Sequence, residues 1–256
     1  MKLPVIIPAH NEEALLPRAL AALPADLVEP IVIPNGCDDR TEIIAREAGA
    51  TVLSLPEASK MRAIQAGIHF LGCRAVEPVL LLDADSHPIF PRLWPGAMVG
   101  ATRPLDAPAI IVGPVVLRGG PGLTANMARS AYRYSQQYRN RTNPEGGSFG
   151  GANTALNLKK TAIVEAILGL DDYWPGEDEA IKDVIMGSGG SSYKSPSPLA
   201  GVVSDADRQL GLRERVRLGR QGASESFTES YAKDCPQGAV PYLRGEKPTK
   251  SVASQV

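Results

Sequence analysis

Two aspartates, Asp83 and Asp85, stand one residue apart directly behind the apolar run Val79–Leu82, in the stretch "PVLLLDADS". A carboxylate pair at that spacing could hold Mg2+ or Mn2+ against a diphosphate, because these hard cations combine carboxylate oxygens with phosphate oxygens. Asp is also an ordinary turn residue, so the pair needs company before it means chemistry. A second acidic cluster, "WPGEDEA", places Glu177, Asp178 and Glu179 together behind Trp174. Like-charge neighbours and partial burial raise a carboxyl's pKa toward the range useful to a general base, and Asp178 lies in the middle. Pro-Gly followed by acids also begins many surface helices. Lys60, with Arg62 as the alternative, could neutralise phosphate.

These residues must be positioned by elements, and the first half of the chain spells them out. Leu3–Ile7, "PIVIP" (Pro30–Pro34), "TVLSL" and "PVLLLDAD" read as short buried strands. Between them, "NEEALLPRALAAL", "EIIAREAG" and "KMRAIQAGIHFLG" carry helical spacing, with Asn11 expected to cap the first helix. Strands alternating with helices predict an α/β fold, a mostly parallel central sheet flanked by helices, in which ligands gather at the carboxyl ends of the strands. Pro8–Glu12, Asn35–Asp39 and Asp83–Asp85 all follow strand ends, and three polar clusters on one edge say more than any one.

The second half is less regular. "PAIIVGPVVL" predicts a strand broken at Gly113-Pro114, followed by a polar helix over about 123–141 and a glycine-rich stretch, "NPEGGSFGGANTALNLKK". "TAIVEAILGL" and the segment after "GEDEA" predict helices, and "LAGVVSD" a late strand. The expected organisation is one domain over 1–210, with a regular half (1–100) and a less regular half (101–210). A partly flexible C-terminal extension over 211–256 follows, rich in Pro, Gly, Lys and Ser.

With 256 residues, 43% hydrophobic and 21% charged, the chain can build a sizeable core. A net charge of −1 argues against nucleic acid as a partner. Cys37, Cys73 and Cys235 are scattered and lack metal-ligand spacing, as in a reduced cytoplasmic protein. No signal-peptide pattern and no transmembrane run is visible, which leaves peripheral membrane contact open.

The ordered series "VIIPAHNEEALLPRAL", "PNGCDDRT", "KMRAIQAG", "LLLDADS", "GGANTALNLKK" and "WPGEDEAI" resembles the family 2 glycosyltransferases of the GT-A (Rossmann-like) fold, over about Leu3 to Asp207. The resemblance implies metal-dependent, inverting transfer of a sugar from a nucleotide-diphospho-sugar to an acceptor that the sequence does not specify. It makes 1–100 the nucleotide-binding half and 101–210 the acceptor half, and places the donor against Pro8, Ala9, Asn11, Glu12, Asn35, Lys60, Asp83, Ala84 and Asp85. Asp85 would bind Mn2+ or Mg2+ directly, and Asp83 would lean toward the ribose and metal waters. Asp178 would be the general base. Gly150, Gly151, Asn153, Trp174 and Glu177 would face the acceptor, with Trp174 suited to stacking on a sugar.

The chain departs from the family at Pro34 and Asn35, where two aspartates are usual. The Asn35 side-chain carbonyl could still accept the imide N–H of uracil, so UDP-sugar leads as donor with GDP-sugar behind it. His10, His69 and His87 all precede the second half, where many relatives supply a metal-binding histidine; Asp205 or Asp207 could substitute. Arg208 could approach the diphosphate. Two rival readings remain: a nucleotidyltransferase, and a nucleotide-sugar-binding module without turnover.

Overall fold

The computed structural model describes residues 2–100, 107–117, 152–171, 177–195 and 197–205, all within the first of two compact units, Met1–Gln209 and Leu210–Val256. Its strands are β1 (Leu3–Ala9), β2 (Val28–Pro34), β3 (Thr51–Val52), β4 (Val79–Leu82), β5 (Ser86–Pro88), β6 (Ala109–Val112), β7 (Val115–Leu117), β8 (Asn153–Asn157), β9 (Ser191–Lys194) and β10 (Val202–Ser204). The helices are α1 (Leu16–Ala21), α2 (Thr41–Glu47), α3 (Lys60–Leu71), α4 (Trp94–Gly100), α5 (Thr161–Leu168) and α6 (Glu177–Gly187).

Seven strands form the central sheet in the order β3-β2-β1-β4-β8-β6-β9. All its pairings are parallel except those of β8, which runs antiparallel to both β4 and β6. The expected mostly parallel α/β sheet is therefore present. A second sheet, β5-β10-β7, is built from the segments that leave β4 and β6. The predicted break at Gly113-Pro114 is the point where the chain passes from β6 in one sheet to β7 in the other.

Alternation along the strands feeds two cores. Ile6, Leu81, Ile110 and Val112 face α3, α5 and α6, with Met61, Ile64, Ile68, Ile163, Ile167 and Ile181. Val5, Ile7, Leu80, Leu82 and Ile111 face the opposite side, where Leu16, Ala45, Trp94 and Met98 pack. Because both faces are covered, the strands read as continuous apolar runs rather than as alternating ones. Gly67 on α3 lies against β1, where an added Cβ would stand 2.8 Å from the Ile6 side chain.

The first helix differs from its expected form. Asn11 does not cap it: its φ is +53°, in the left-handed region, and α1 begins only at Leu16 with Pro17 in its first turn. Proline suits that position because the N–H it lacks would have no helical partner. The four intervening residues become a loop over the sheet edge. Cys73 and Cys235 and the predicted polar helix over 123–141 carry no side-chain description or lie outside the described residues. No helix among the described residues is long and apolar enough to cross a membrane.

Candidate active site

The three polar clusters converge because β2, β1 and β4 are neighbours with the same direction. The loops after β1 and β2 are stapled together. His10 Nδ1 lies 2.7 Å from the Asn35 carbonyl oxygen, the Asp38 N–H donates to Asn11 Oδ1 at 3.0 Å, and the Glu12 N–H donates to Thr41 Oγ1 at 2.7 Å. The Glu13 N–H donates to Asp39 Oδ2 at 3.0 Å, and the Arg40 N–H returns a bond to Glu13 Oε2 at 3.2 Å. Asp39 is partly desolvated, which would raise its pKa. The Thr41 hydroxyl and the N–H groups of Thr41 and Glu13 overcome this and lower it.

Asn35 is built into this staple. Its amide nitrogen donates to the carbonyls of Ala9 (2.9 Å) and Ile33 (3.1 Å), and its Oδ1 accepts the Ser59 N–H at 3.1 Å. It is 3% exposed. The expectation that Asn35 offers its carbonyl to a uracil is therefore not met: that oxygen fixes the start of α3 instead. Gly36 beside it has φ +59°, and an added Cβ would stand 2.6 Å from the Ala58 nitrogen, so this turn requires glycine. Pro8 is half-buried, while Ala9 and Ala84 are buried.

Asp83 continues the alternation of β4 past Leu82, on the side of Leu81 and hence of α3 and α6. Ser59 caps α3 by accepting the Arg62 N–H at 3.0 Å, which presents Lys60 as its first residue. Lys60 Nζ lies 2.9 Å from Asp83 Oδ1 and 3.4 Å from Glu177 Oε1. Burial alone would push the Lys60 pKa down, but the carboxylates of Asp83, Asp178 and Glu177 hold it well above the ordinary lysine range. Arg62 turns away to Gln65 Oε1 at 3.1 Å, so of the two cations Lys60 faces the cluster. Glu177 and Asp178 are the first two residues of α6, where the helix dipole favours negative charge. One ammonium thus joins the acid pair after β4 to the acid pair that opens α6.

Asp83 to Ser86 form a tight turn closed by the Ser86 N–H on the Asp83 carbonyl at 2.9 Å. Asp85 leaves it toward the small sheet, where Ser86 Oγ (3.0 Å) and Ser204 Oγ (3.3 Å) both donate to its Oδ1. Asp205, 1% exposed, binds Arg18 of α1 at 2.9 Å and has His87 Nδ1 at 3.9 Å. This ion pair engages the residue considered as a third metal ligand. Among the described residues no group of three or more His, Cys, Asp or Glu side chains is arranged to hold a metal. Asp83 and Asp85 still fit a cation such as Mg2+, which is bound through one or two carboxylates plus substrate phosphates and keeps several waters.

Of the residues expected to face the acceptor, Asn153 is fully buried. Its Oδ1 accepts Trp94 Nε1 at 3.0 Å, and its Nδ2 donates to the carbonyls of Ala200 (2.7 Å) and Pro114 (3.1 Å). It ties α4, β8 and the turn before β10 together and does not reach an acceptor, contrary to expectation. Gly150, Gly151, Trp174, Asp207 and Arg208 lie outside the described residues. A cavity of about 790 Å³ lined by Arg92, Leu93, Ala97, Tyr193, Lys194 and Leu199, among others, shares no residue with the acidic cluster. Sequence reading missed Ser86 and Ser204; both sit inside quoted motifs, but nothing in their type says where their hydroxyls point.

The fold and the sequence have recognisable relatives. Solved structures of glucosyl-3-phosphoglycerate synthase from Mycobacterium tuberculosis share the fold. The complex with Mn2+, UDP and phosphoglyceric acid has a TM-score of 0.59 at 20% identity, covering 97% of this chain and 80% of that one. The complex with Mg2+ and UDP has a TM-score of 0.60 at 19% identity, covering 97% and 81%. An uncharacterized glycosyltransferase of Mycobacterium bovis and one of M. tuberculosis are each 35% identical over 82 residues, 32% of this chain. The match spans only 35% of the length of those relatives. The family model "Glycosyl transferase family 2" matches residues 5–163, which take in β1 to β4, the Asp83–Asp85 turn and β8. The chain belongs to glycosyl transferase family 2, and its fold is that of the GT-A structures.

Proposed function

We propose that the protein moves a sugar, with inversion, from a nucleotide-diphospho-sugar to an acceptor hydroxyl. UDP-sugar is the favoured donor, and Asp83 and Asp85 hold Mn2+ or Mg2+. The observation that carries this reading is the Lys60 bridge, which puts the Asp83–Asp85 turn and the Glu177–Asp178 helix start in one charged cluster at the strand ends. Solved structures of the same fold hold UDP with Mn2+ or Mg2+, which supports both the base and the cation. When bound, the cation supplies charge neutralisation on the departing diphosphate.

The chain's own residues do the rest. The stapled loops after β1 and β2, with Pro8, Asn11 and Glu12, form a stiff floor for the nucleoside. Lys60 sets the orientation of Asp83 and adds positive charge on the diphosphate side. Asp178 takes the proton of the acceptor hydroxyl as the new bond forms, and Glu177, held by Lys60, positions it. The half of the domain before residue 100 serves the donor and the half after it the acceptor. Calorimetry with UDP, GDP, CDP and TDP tests the donor assignment. UDP binding that requires Mn2+ and vanishes in Asp85→Ala supports it, whereas tight GDP binding with undetectable UDP binding overturns the choice of base.

A further inference from the structure

Asp85 is held by a part of the chain far from it in sequence, and the way it is held is specific. Ser86 opens β5 and Ser204 closes β10, and in the antiparallel pairing of these strands the two serines stand directly opposite each other. Both are almost completely buried, at 0% and 3% exposure. Their hydroxyls converge on the same oxygen, Oδ1 of Asp85, from 3.0 and 3.3 Å. The main chain closes the same clamp, because the Asp205 N–H donates to the Asp85 carbonyl at 2.9 Å. Beyond the clamp, the Asp205 carboxylate is anchored to Arg18 at 2.9 Å, and β10 pairs in parallel with β7. The end of β10 is thus tied to α1 and to the segment that leaves β6.

We propose that Ser204 and Ser86 are positioning residues for the divalent cation: they fix the plane and rotamer of the Asp85 carboxylate so that it meets the metal without reorganising. This rests on the metal role proposed for Asp85. The physical ground is that a carboxylate ligand swings freely about two torsions unless hydrogen bonds hold it. Partners that orient ligands typically contribute about 10–100-fold to metal affinity. A buried hydroxyl that serves only to satisfy its strand would have no reason to share one carboxylate oxygen with its cross-strand neighbour.

The test is Mn2+ titration of the full chain in the presence of UDP, followed by electron paramagnetic resonance of free Mn2+, with thermal melting alongside. Ser204→Ala is expected to weaken Mn2+ binding about 10-fold, Ser204→Thr to restore it by keeping the hydroxyl, and Ser86→Ala to weaken it on its own. Ser204→Ala with wild-type Mn2+ affinity, or with a lowered melting temperature and no change in Mn2+ affinity, overturns the proposal. If Ser204→Ala does not fold, Ser86→Ala and Ser204→Thr decide it by the same readout. A wild-type chain that binds no Mn2+ with UDP overturns the metal role of Asp85 itself, and this inference with it.

Discussion

Replacing Lys60 with methionine keeps most of its apolar stem and removes the charge that joins Asp83 to Glu177 and lies within reach of Asp178. Removing one partner of a fully buried ion pair costs about 3–5 kcal/mol, because the other charge is stranded. Here the side chains of Lys60 and Asp83 are 22% and 28% exposed while Glu177 is 7% exposed. Solvent therefore relieves part of the loss, and about 2–3 kcal/mol is expected. For a domain of this size that is a fall in melting temperature of roughly 5–10 °C.

The pH dependence follows from the direction of the shift. The Lys60 pKa is raised above its ordinary value of 10.5, so its stabilisation is fully present below that value and is lost only as pH rises through the raised one. Between pH 5 and 9 wild-type Lys60 stays charged. In the variant the carboxylates of Asp83, Asp178 and Glu177 lose the Lys60 counter-charge. The gap between wild type and Lys60→Met should persist through pH 9 and close only as pH rises above the ordinary lysine value of 10.5. Scanning calorimetry at a series of pH values reads it, and a Lys60→Met/Asp83→Asn cycle isolates the pair. A variant that melts with the wild type at pH 7, or a gap that closes already below the ordinary lysine value of 10.5, would refute the charge-bridge reasoning.

Three further outcomes are expected. Asp178→Asn should lower kcat by about 10²–10⁴ with donor affinity nearly unchanged, as for loss of a general base. Glu177→Gln should lower kcat less and also destabilise the fold through Lys60; if Glu177→Gln is instead the inactive variant, the base lies one residue earlier. Asn153→Ala should cost about 3–5 kcal/mol in urea denaturation, because the Trp94 indole N–H and the carbonyls of Pro114 and Ala200 lose their partner in the core. An unchanged midpoint would contradict the latch assigned to it.

Much of the half before residue 100 was legible because its strands are apolar blocks closed by polar turns, so that β1, β2, β4 and α3 could be placed from type and spacing alone. The two-sheet break at Gly113-Pro114 was legible for a similar reason: proline has no N–H to give a ladder. β8 was not, since "NTALN" follows a glycine-rich run and lacks β-branched density, yet all five of its residues are buried between β4 and β6. The short polar strands β5 ("SHP") and β9 ("SSYK") gave no period to read. Asn35 and Asn153 were read toward ligands because asparagine near glycine looks the same in a binding loop and in a buried latch; only the direction of the amide separates the two. Lys60 was picked out by its motif, but its link to Glu177 joins residues from α3 and α6 and is a property of the fold.

The most direct test of the account is to incubate the full chain with a panel of nucleotide-sugars and Mn2+ and to follow products in the absence of acceptor. Slow release of UDP and free sugar from a UDP-sugar is predicted, lost on adding EDTA and in Asp85→Ala. Pyrophosphate as the product, or UDP release that continues undiminished in EDTA and in Asp85→Ala, would contradict it.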